Sequence, residues 1–532
     1  MGHVIGIDLG TTYSCMAYLI GETAKVIPNL EGAPTTPSMV SFTSSGETLI
    51  GNLAMRQAVT NPENTLFAIK RLIGRKYNSP EGSEARQRMP YKIAEAANGD
   101  IVIQVGSQLI TPQEISAKIL GYLKSCATSY FGEEVKDAVV TVPAHFDDHQ
   151  RQATKDAGTI AGLNVLRVIN EPTAASLAYG LNLRKTGAVA VFDLGGGTFD
   201  ITILEINNGV FHVLATNGDS YLGGEDFDRR IVDWLLEEFR KDHQLDISLD
   251  KYALQRIKEA AERAKRELSF TQETEINLPF IGSDAAGSKH LRKSLSRSLL
   301  EELTKDLVEK CIPLMQLAIE ESGLKPEAIE DVILIGGQTR MPLVRKRVAD
   351  FFQKEPNDKL NPDESVAMGA AIQSGILRGE LNELVLLLDV TSLTLGIETE
   401  NNGFEKIIDK NTTIPTKRTK PFTTVEHDQR RVRIHVLQGE NIHASENVSL
   451  AMFDLVGISP APAGIPQIDV TFEIDADGIV KVSARDISSG REQKILIQPS
   501  SGLSREELNT LVVREREKEA KETTPNGKKG LL

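Results

Sequence analysis

Two short segments of the sequence share an order of residue types that suits phosphate chemistry. Residues 8–12 read Asp-Leu-Gly-Thr-Thr, and residues 193–198 read Asp-Leu-Gly-Gly-Gly-Thr, with Asp200 two positions further on. Glycine lets the backbone approach a phosphate closely and direct N–H groups at its oxygens. An aspartate repels phosphate directly, but it can hold a hydrated Mg²⁺ that bridges the two. We therefore predict that these turns, from two lobes, grip a polyphosphate between them.

A purely structural role for these segments has less support. A single Asp-Leu-Gly triplet is commonly only the point at which a strand passes into a turn, but two matched copies, each followed by threonine, favour phosphate binding. The sequence contains neither the G-x-x-x-x-G-K-[ST] pattern of P-loop proteins nor the G-x-G-x-x-G pattern of dinucleotide-binding folds. The phosphate site therefore belongs to another class.

The elements that must position these turns are strands. Residues 5–8 and 189–193 are apolar and end in the acid, and residues 138–143 and 332–337 have a similar character. Helical periodicity, clearest over residues 251–268, alternates with them. This order predicts an α/β fold that extends to about residue 382.

The pattern changes to strict alternation from residue 391 onward. Residues 432–436 and 468–474 alternate apolar with polar side chains, and residues 480–484 do so after an Asp477-Gly478 turn. Alternation with period two and an Asp-Gly turn predict an antiparallel hairpin. This part of the chain is expected to be a half-buried β module.

Two further helices are predicted from their capping residues. A helix is expected over residues 361–372 with Asn361 as its cap. Ser504 and Glu507 form a capping box at the start of the last helix. After Val513 the chain is highly charged with little to bury, so we expect a frayed or disordered tail.

Composition excludes several classes of function. The chain has 532 residues, a formal net charge of −14 and a pI near 5.3, which argues against a nucleic-acid partner. No apolar run approaches the roughly 20 residues of a membrane span, so no membrane is expected. The N-terminus has no signal region, which makes the cytoplasm the default location. Cys15, Cys126 and Cys311 are too scattered to indicate disulfides or a zinc site.

Several longer motifs accompany the two turns. They are residues 67–74 (FAIKRLIG), 169–175 (INEPTAA), 223–228 (GGEDFD) and 335–342 (IGGQTRMP). In this order, over roughly residues 1–510, the chain resembles chaperones of the seventy-kilodalton heat-shock (DnaK) type. The turns themselves resemble the phosphate motifs of the actin, hexokinase and heat-shock ATPase superfamily.

The resemblance implies a fold and a division into domains. A two-lobed α/β actin-like ATPase domain would span residues 1–382, and a linker residues 383–390. An antiparallel β-sandwich that binds peptide would span residues 391–502. Residues 503–532 would begin a helical lid, with most of the lid missing. The implied function is ATP-dependent chaperoning, in which weak ATP hydrolysis gates the binding and release of extended hydrophobic segments of unfolded polypeptides.

The resemblance also implies the nucleotide site. Asp8, Asp193 and Asp200 would surround Mg²⁺, largely through water, with K⁺ as a further candidate cation. Lys70 and Glu171 would flank the γ-phosphate and the attacking water, so that the catalytic set is Lys70, Glu171, Thr198, Asp8 and Asp200. The residues implied to bind ATP or ADP are Gly10, Thr11, Thr12, Tyr13, Asp193, Gly195, Gly196, Gly197, Thr198, Glu262, Lys265, Ser269, Gly336, Gly337, Arg340 and Asp363.

Without the resemblance, several of these residues would be read differently. Lys70 would be a solvated charge, and Glu171 an acid favoured at a helix start by the dipole. Glu262, Lys265 and Ser269 share one helical face that would ordinarily be a charged surface. Only the joint pattern makes them candidates.

The resemblance assigns the apolar residues at the boundary between the two patterns to the linker. On sequence alone, residues 384–388 could equally be a buried strand. In the resembled family this segment docks on the ATPase domain with ATP and is released with ADP. The linker residues are Val385, Leu386, Leu387, Leu388 and Asp389. The residues implied to bind peptide are Phe404, Val425, Val432 and Ile434.

Partners follow from the resemblance as well. Besides unfolded polypeptide, a J-domain co-chaperone and a nucleotide exchange factor of the GrpE type are implied. Arg167, Asn170 and Asp389 match positions that contact J-domains.

The chain also departs from the family pattern near its domain boundary. His145 and Asp147 stand where the family usually has Tyr and Asn, and Leu384 and Ser392 replace the common Asp and Pro. These changes leave the strength of coupling between the domains open.

Two other functions use the same ATPase scaffold. A sugar or small-metabolite kinase would transfer phosphate from ATP to its substrate, and an actin-like protein would polymerise with nucleotide. Neither has a use for the C-terminal β module, which favours the chaperone.

Overall fold

The sheet of the first lobe carries the first phosphate-type turn. The computed structural model describes residues 2–183, 186–357, 359–381, 385–488, 490, 492–496 and 502–522. The main sheet has the order β12-β11-β1-β2-β3, and β4 pairs with β2. The elements of this lobe are β1 (Val4–Asp8), β2 (Tyr13–Ile20), β3 (Thr23–Val26), β4 (Thr35–Pro37), β5 (Val40–Phe42), β6 (Thr48–Ile50), α1 (Asn52–Gln57), β7 (Thr65–Leu66), α2 (Pro80–Arg88), β8 (Lys92–Glu95), β9 (Ile101–Val105), β10 (Gln108–Ile110), α3 (Pro112–Phe131), β11 (Asp137–Val142), α4 (Asp148–Ile160), β12 (Asn164–Asn170) and α5 (Glu171–Leu183).

The second lobe repeats the arrangement of the first. Its main sheet has the order β18-β13-β14-β15-β19-β22, so that β19 (Leu386–Val390) and β22 (Thr413–Ile414), from beyond residue 385, form its far edge. Its elements are β13 (Gly187–Leu194), β14 (Phe199–Asn207), β15 (Val210–Asp219), α6 (Gly224–His243), α7 (Lys251–Glu267), β16 (Glu273–Asp284), β17 (Gly287–Ser296), α8 (Arg297–Ser322), β18 (Asp331–Ile335), α9 (Pro342–Phe352) and α10 (Ser365–Arg378).

Strands β1 and β13 occupy equivalent places in their sheets. β1 is antiparallel to β2 and parallel to β11, and β13 is antiparallel to β14 and parallel to β18. Helix α10 packs directly on β1, because a Cβ built on Gly6 would lie 2.1 Å from the backbone nitrogen of Ala371. It packs as closely on α5, since Gly369 leaves no room for a side chain beside Ala174. The two similar turns therefore follow equivalent strands of the two lobes.

The C-terminal part is the predicted antiparallel sandwich. One sheet has the order β21-β20-β24-β25 and the other β23-β26-β27-β28, and both contribute to one apolar core. The sandwich strands are β20 (Leu395–Thr399), β21 (Gly403–Ile408), β23 (Thr416–Phe422), β24 (Arg431–Gln438), β25 (Val448–Val456), β26 (Ile468–Ile474), β27 (Val480–Asp486) and β28 (Glu492–Leu496). Strands β19 (Leu386–Val390) and β22 (Thr413–Ile414) belong to the sheet of the second lobe, and α11 (Arg505–Glu522) is the last helix.

Two predicted helix boundaries were wrong. Helix α10 begins at Ser365 and not at residue 361, because Asn361 Oδ1 instead accepts the backbone N–H of Asp363 in a turn. The last helix does not fray after Val513 but continues to Glu522. It is supported beyond Val513 by ion pairs of its own side chains with the first lobe. Residues 523–532, also assigned to the tail, lie outside the described residues, as does Leu384.

No helix among the described residues is both long enough and apolar enough to cross a membrane.

Candidate functional site

The two phosphate-type turns face each other across a cavity of about 390 Å³ between the lobes. A Cβ built on Gly196 would lie 2.1 Å from Oγ1 of Thr12, and one on Gly197 would lie 2.6 Å from Oγ1 of Thr11. Only glycine allows this approach, so the second turn needs its glycines to meet the threonines of the first. The structure thus brings the two turns together at one cavity, and their binding of phosphate stays a prediction.

Hydrogen bonds fix the shape of each turn. In the first turn, the Ser38 hydroxyl donates to the carbonyl of Gly10 at 2.7 Å, and the Ser38 backbone N–H donates to the carbonyl of Thr12 at 2.8 Å. In the second, the N–H of Gly195 donates to the carbonyl of Thr198 at 3.1 Å. The carbonyl of Gly195 in turn accepts the N–H of Gly224, at the start of α6, at 2.9 Å. These hydrogen bonds fix the backbone of both turns.

Carboxylates crowd the inner end of the cavity. Asp8, Asp193 and Glu171 line its wall, and the lysine beside them, Lys70, forms an ion pair with Glu171. Burial, followed by the charge of Glu171, raises the pKa of Asp8 and holds the pKa of Asp193 well above its usual range. Such a cluster has more negative charge than Lys70 balances, which suits a bound cation.

Asp200 lies behind the cavity wall and is almost fully buried. Its Oδ1 accepts the backbone N–H of His145 at 3.0 Å, whereas its Oδ2 has no hydrogen-bond partner among the described residues. Burial and the charge of Glu171 raise its pKa. A buried carboxylate oxygen without a partner beside other carboxylates fits hydrated Mg²⁺.

The carboxylates are not arranged to coordinate a metal directly. In the part of the chain that the structure describes, no group of three or more His, Cys, Asp or Glu side chains is close enough to hold a metal ion by itself.

Lys70 and Glu171 reach the site from opposite elements of the first lobe. Lys70 is in a short 3₁₀ turn, Ile69–Arg71, that follows Ala68 in a left-handed conformation with φ 53°. Glu171 is the first residue of α5, directly after strand β12. Both side chains are buried, so the pair is held where a phosphoryl group would stand against the turns.

The outer end of the cavity carries the predicted adenosine residues. Lys265 on α7 donates to the carbonyl of Gly224 at 3.0 Å and pairs with Asp228 at 2.9 Å. Arg340 pairs with Asp363 at 2.6 Å on the facing side. Glu262, Ser269 and Gly337 complete this part of the wall.

Gly336 turns the chain into this part of the wall. It adopts a φ of 80°, and a Cβ built there would lie 2.4 Å from the backbone of Leu194. Both the positive φ and the close approach to Leu194 require glycine at this position.

The cavity wall contains nearly all the predicted nucleotide residues. Gly197 and Asp200 are the exceptions, since both lie behind the wall. Residues that were not assigned to the nucleotide site also line the cavity: Thr35, Arg266, Phe270, Pro362 and Val366, together with Gly224, Asp228, Gln338 and Met341 from the motifs at 223–228 and 335–342. The sequence offered a signal for Arg266, which follows Glu262 by one helical turn on α7.

Two contacts that were not predicted from the sequence join the lobes, one beside the turns and one at the outer end of the cavity. Arg71 donates from Nε to the carbonyl of Gly197 at 3.2 Å and pairs with Asp226 on α6. At the outer end, Arg266 donates to the hydroxyl of Tyr13 at 3.3 Å. Both contacts cross from one lobe to the other and hold the cavity closed.

The predicted linker is a strand at the edge of the second lobe's sheet. Leu386, Leu387 and Leu388 of β19 run parallel to residues 210–212 of β15. Leu386 remains 46% exposed, whereas Asp389 is buried. Both Oδ atoms of Asp389 lie 3.0 Å from the Asn170 side-chain nitrogen, which donates to them. Residues 386–388 are therefore an edge strand that is only partly buried, and their assignment as a linker stays a prediction.

Arg167, Asn170 and Asp389, the residues that match J-domain contacts, lie along the domain boundary. Arg151 donates to Asn170 at 2.7 Å, and Asn170 donates to Asp389. Arg167 donates to the carbonyl of Ala476 in the β26–β27 turn at 3.3 Å. All three residues thus take part in contacts that tie the first lobe to elements beyond residue 385.

The tip of the β26–β27 hairpin inserts against the first lobe. Asp477 pairs with Lys155 at 2.5 Å and accepts the backbone N–H of Val168 at 3.1 Å. A Cβ built on Gly478 would lie 3.3 Å from the guanidinium of Arg151. The Asp-Gly turn, identified only as a hairpin signal, is thus also a domain contact.

The start of α4 connects the buried Asp200 to the sandwich. Asp147 caps the helix by accepting the N–H of Gln150 at 3.0 Å. Asp148 accepts the N–H of Val480 at 2.8 Å and donates its own N–H to Gln438 at 3.1 Å. His149 contacts the carbonyl of Leu450 through Nε2 at 3.2 Å. The departures at His145 and Asp147 therefore fall on the segment that joins the two domains.

The four predicted peptide-binding residues have different environments. Ile434 is buried in the sandwich core, and Val432, two residues earlier on β24, packs partly against it. Phe404 is half-buried on β21, whereas Val425 is 56% exposed in the connection between β23 and β24. Only Val425 of the four presents most of its surface to solvent.

Helix α11 packs against the first lobe. Leu511 is buried in the same core as Ala153 and Ala157 of α4, with Leu508 and Val512 beside it. Arg514 pairs with Glu114 of α3. The capping box of Ser504 and Glu507 is present as predicted.

Comparison with protein families places this geometry in context. A family model described as Hsp70 protein matches residues 4–529, which is nearly the whole chain.

Proposed function

The chain belongs to the Hsp70 family, and we propose that ATP binding and slow hydrolysis in its interlobe cavity gate the binding and release of extended hydrophobic polypeptide segments. Members of the family are ATPases and ATP-dependent chaperones that bind nucleotide with Mg²⁺, unfolded polypeptides and co-chaperones. We propose in addition that nucleotide gates peptide binding in this chain, and that the chain acts in the cytoplasm in the manner of DnaK-type chaperones.

The proposed nucleotide site uses the residues that meet in the cavity. Asp8, Asp193 and Asp200 would hold Mg²⁺ through water, and the glycine turns would direct N–H groups at the phosphates. The ion would neutralise charge on the phosphates when bound. Lys70 would stabilise charge on the γ-phosphate, and Glu171 would orient water toward it. K⁺ is a further candidate cation at the end of the cavity where the carboxylates lie.

The adenosine end is assigned to the outer part of the cavity. Glu262, Lys265 and Ser269 on α7 would hold the nucleoside opposite Gly337 and Arg340. Asp363, which pairs with Arg340, would set the position of that guanidinium.

The coupling proposal is carried by one observation, the position of the start of α4. The backbone N–H of His145 donates to the proposed magnesium residue Asp200. Three residues further, Asp148 accepts from Val480 of the sandwich. A change in charge around Asp200 would therefore alter the hydrogen bond to His145, which is three residues from the contact between Asp148 and the sandwich.

The linker provides a second route between the domains. Strand β19 extends the sheet that contains the second phosphate turn, and Asp389 is bonded to Asn170. We assign the ATPase domain to residues 1–382, the linker to 383–390, the peptide-binding domain to 391–502 and the lid segment to 503–532. The docked linker corresponds to the ATP-type arrangement of this scheme.

Co-chaperones are assigned by the same scheme. A J-domain partner would bind near Arg167, Asn170 and Asp389 and stimulate hydrolysis together with peptide. An exchange factor of the GrpE type would act by opening the lobes. Peptide would bind near Phe404 and Val425, with Val432 and Ile434 supporting the site from the core.

The test is a fluorescent unfolded peptide titrated with the full chain in ATP and in ADP. We expect ATP to weaken peptide affinity by about 10- to 100-fold, a common size of coupling between sites. Thr198→Ala, which removes a hydroxyl from the cavity wall, should reduce ATP hydrolysis. Thr60→Ala, a threonine of the first lobe outside the cavity wall, is the matched control. Peptide affinity that ignores nucleotide would contradict the gating.

A further inference from the structure

Three polar side chains on the outer face of one sandwich sheet form a chain of hydrogen bonds. Nδ1 of His435 lies 2.7 Å from Oε2 of Glu398, and Nε2 of His435 lies 2.8 Å from Oγ of Ser449. The side chain of His435 is 18% exposed and that of Glu398 is 41% exposed, and Ser449 is exposed as well. The three residues lie outside the wall of the nucleotide cavity, so nucleotide binding does not account for them.

The strand register places Glu398 and His435 side by side. They belong to the neighbouring strands β20 and β24, in which Ile397 pairs with Val436. Glu398 therefore lies opposite His435, one position along the pair. Val436 is buried in the sandwich core, so the side chains of Glu398 and His435 lie on the opposite face of the sheet.

A β-bulge in β25 brings Ser449 to the same face. The pairing of β24 with β25 shifts by one residue between Val436 and Leu437, so that Leu437 pairs with Ser449 and Leu450 is left out. Without this extra residue, Ser449 would be displaced by one position and its side chain would point toward the core. The carbonyl of Leu450 accepts a hydrogen bond from Nε2 of His149 at 3.2 Å, which supports the bulge from α4.

The hydrogen-bond partners of His435 determine where its proton lies. A carboxylate can only accept, so Nδ1 carries the proton and donates it to Glu398. Nε2 of the neutral imidazole is then an acceptor, and the hydroxyl of Ser449 donates to it. A serine hydroxyl that donates to an imidazole, which is itself oriented by a carboxylate, is the arrangement that activates serine as a nucleophile.

We propose that Ser449 is a base-activated nucleophile that is acylated by activated carboxylic esters, such as aryl esters and thioesters. Oγ of Ser449 attacks the carbonyl carbon of the ester while Nε2 of His435 takes the hydroxyl proton. The bond from that carbon to the leaving alcohol or thiol then breaks, and His435 gives the proton to the leaving group. Glu398 is a positioning residue, because it orients the imidazole without touching the ester. The product is an ester on Ser449, formed without a cofactor.

The surface beside His435 suits an apolar acyl group. Met452 pairs with His435 across the two strands and is 54% exposed. An acyl chain that covers this side chain would remove apolar surface of both from water, which favours binding. The inference does not depend on the proposed function, since it uses neither nucleotide nor peptide.

The test is labelling of the full chain by p-nitrophenyl butyrate, followed by peptide mass mapping of the butyrylated residues. Ser445 is the internal control, because it is an exposed serine whose Oγ accepts from Asn402. We expect Ser449 to be labelled at least about 100-fold faster than Ser445, the size of effect that general-base assistance commonly gives. Ser449→Ala should remove the fast label, and Ser445→Ala should leave it unchanged.

Two variants test the roles of the other side chains. His435→Gln removes the base and should slow the labelling of Ser449 by about 100-fold. Glu398→Gln can donate its amide N–H to Nδ1 and so favour the wrong tautomer, which should slow the labelling of Ser449 but not of Ser445, with the melting temperature unchanged. Equal labelling of Ser449 and Ser445 in the unmodified protein would overturn the inference without any variant. An unchanged rate at Ser449 in His435→Gln would overturn it as well.

Discussion

The two phosphate-type turns are nearly the same in sequence but not in their surroundings. The first, after β1, is bonded within its own lobe through Ser38. The second, after β13, contacts Thr11 and Thr12 of the first turn, and Asp200 beyond it contacts His145. The two turns contact each other, but among the described residues only the segment after the second turn is also bonded, through Asp200 and His145, to the start of α4, which contacts the sandwich.

The largest expected effect comes from filling the space between the turns. Gly196→Ala would place a methyl group 2.1 Å from Oγ1 of Thr12, so the turns must separate. We expect a large loss of nucleotide affinity, because the phosphates could no longer contact both turns at once. Calorimetry with ADP and Mg²⁺ measures this.

Two glycines provide controls for this substitution. A Cβ at Gly195 has only the carbonyl of Thr198 near it, at 4.0 Å, and one at Gly121 of α3 meets nothing within 4 Å. Gly195→Ala should therefore cost far less affinity than Gly196→Ala, and Gly121→Ala none. Equal losses in Gly195→Ala and Gly196→Ala would show that the turns do not meet as described.

A smaller effect is expected from removing the contacts of Asn170 at the domain boundary while leaving the two phosphate-type turns unchanged. Asn170→Ala removes both the donor to Asp389 and the acceptor for Arg151. We expect the ATP-induced change in peptide affinity to shrink by about tenfold, within the usual range of coupling energies, with ADP affinity unchanged. Asn277→Ala, on β16 away from the boundary, is the control.

The pH dependence of domain docking tests the same boundary. Burial, together with Asp147, raises the pKa of Asp148 from 3.8 to about 7, and Arg151 opposes this shift. The docked state therefore binds a proton more tightly, and its stabilisation is lost as pH rises toward and through 7. Docking should weaken by up to about tenfold between pH 6 and pH 8, measured as the ratio of peptide affinities in ATP and ADP.

The pKa of the neighbouring His149 is shifted in the opposite direction, so its effect on docking has the opposite pH dependence. Burial lowers the pKa of His149, so docking disfavours its charged form and this contribution to docking grows as pH rises. Asp148→Asn should therefore remove the loss of docking at high pH and leave the opposite slope. An unchanged pH profile in that variant would contradict the assignment to Asp148.

The smallest effect is expected at α11. Arg514 is 48% exposed in its ion pair with the buried Glu114, so solvent screens much of the attraction. Arg514→Ala should lower the free energy of unfolding by no more than about 1 kcal/mol. Leu511→Ala, at the buried centre of the same contact, should cost more, about 2 kcal/mol or above. Chemical denaturation of both variants gives the ranking, and the reverse order would contradict the packing of α11.

Sequence reasoning located the strands and turns of the nucleotide site well. Residues 5–8 and 189–193 lie in strands that lead into one cavity, because an apolar run, an acid and glycines are local signals. The start of α10 was misplaced because Asn361 uses its side chain in a turn before the helix. A local cap and a local turn have the same sequence signature.

Contacts between distant parts of the chain were not predictable in the same way. Asp148 and Val480 are 332 positions apart, and nothing in either segment indicates the other. The continuation of α11 to Glu522 also depends on partners in α3. Phe270 was overlooked because one aromatic residue after a charged helix is unremarkable until the cavity beside it is seen.

The most direct test of the account is ADP binding by calorimetry with Mg²⁺ and with the metal removed by EDTA. The carboxylates of Asp8 and Asp193 at one end of the cavity, with that of Asp200 buried behind its wall, repel the phosphates unless a cation lies between them. The account predicts measurable binding with Mg²⁺ and affinity at least about tenfold weaker without it. No binding, or binding that is indifferent to Mg²⁺, would contradict the claim that the two turns grip a metal-bound polyphosphate.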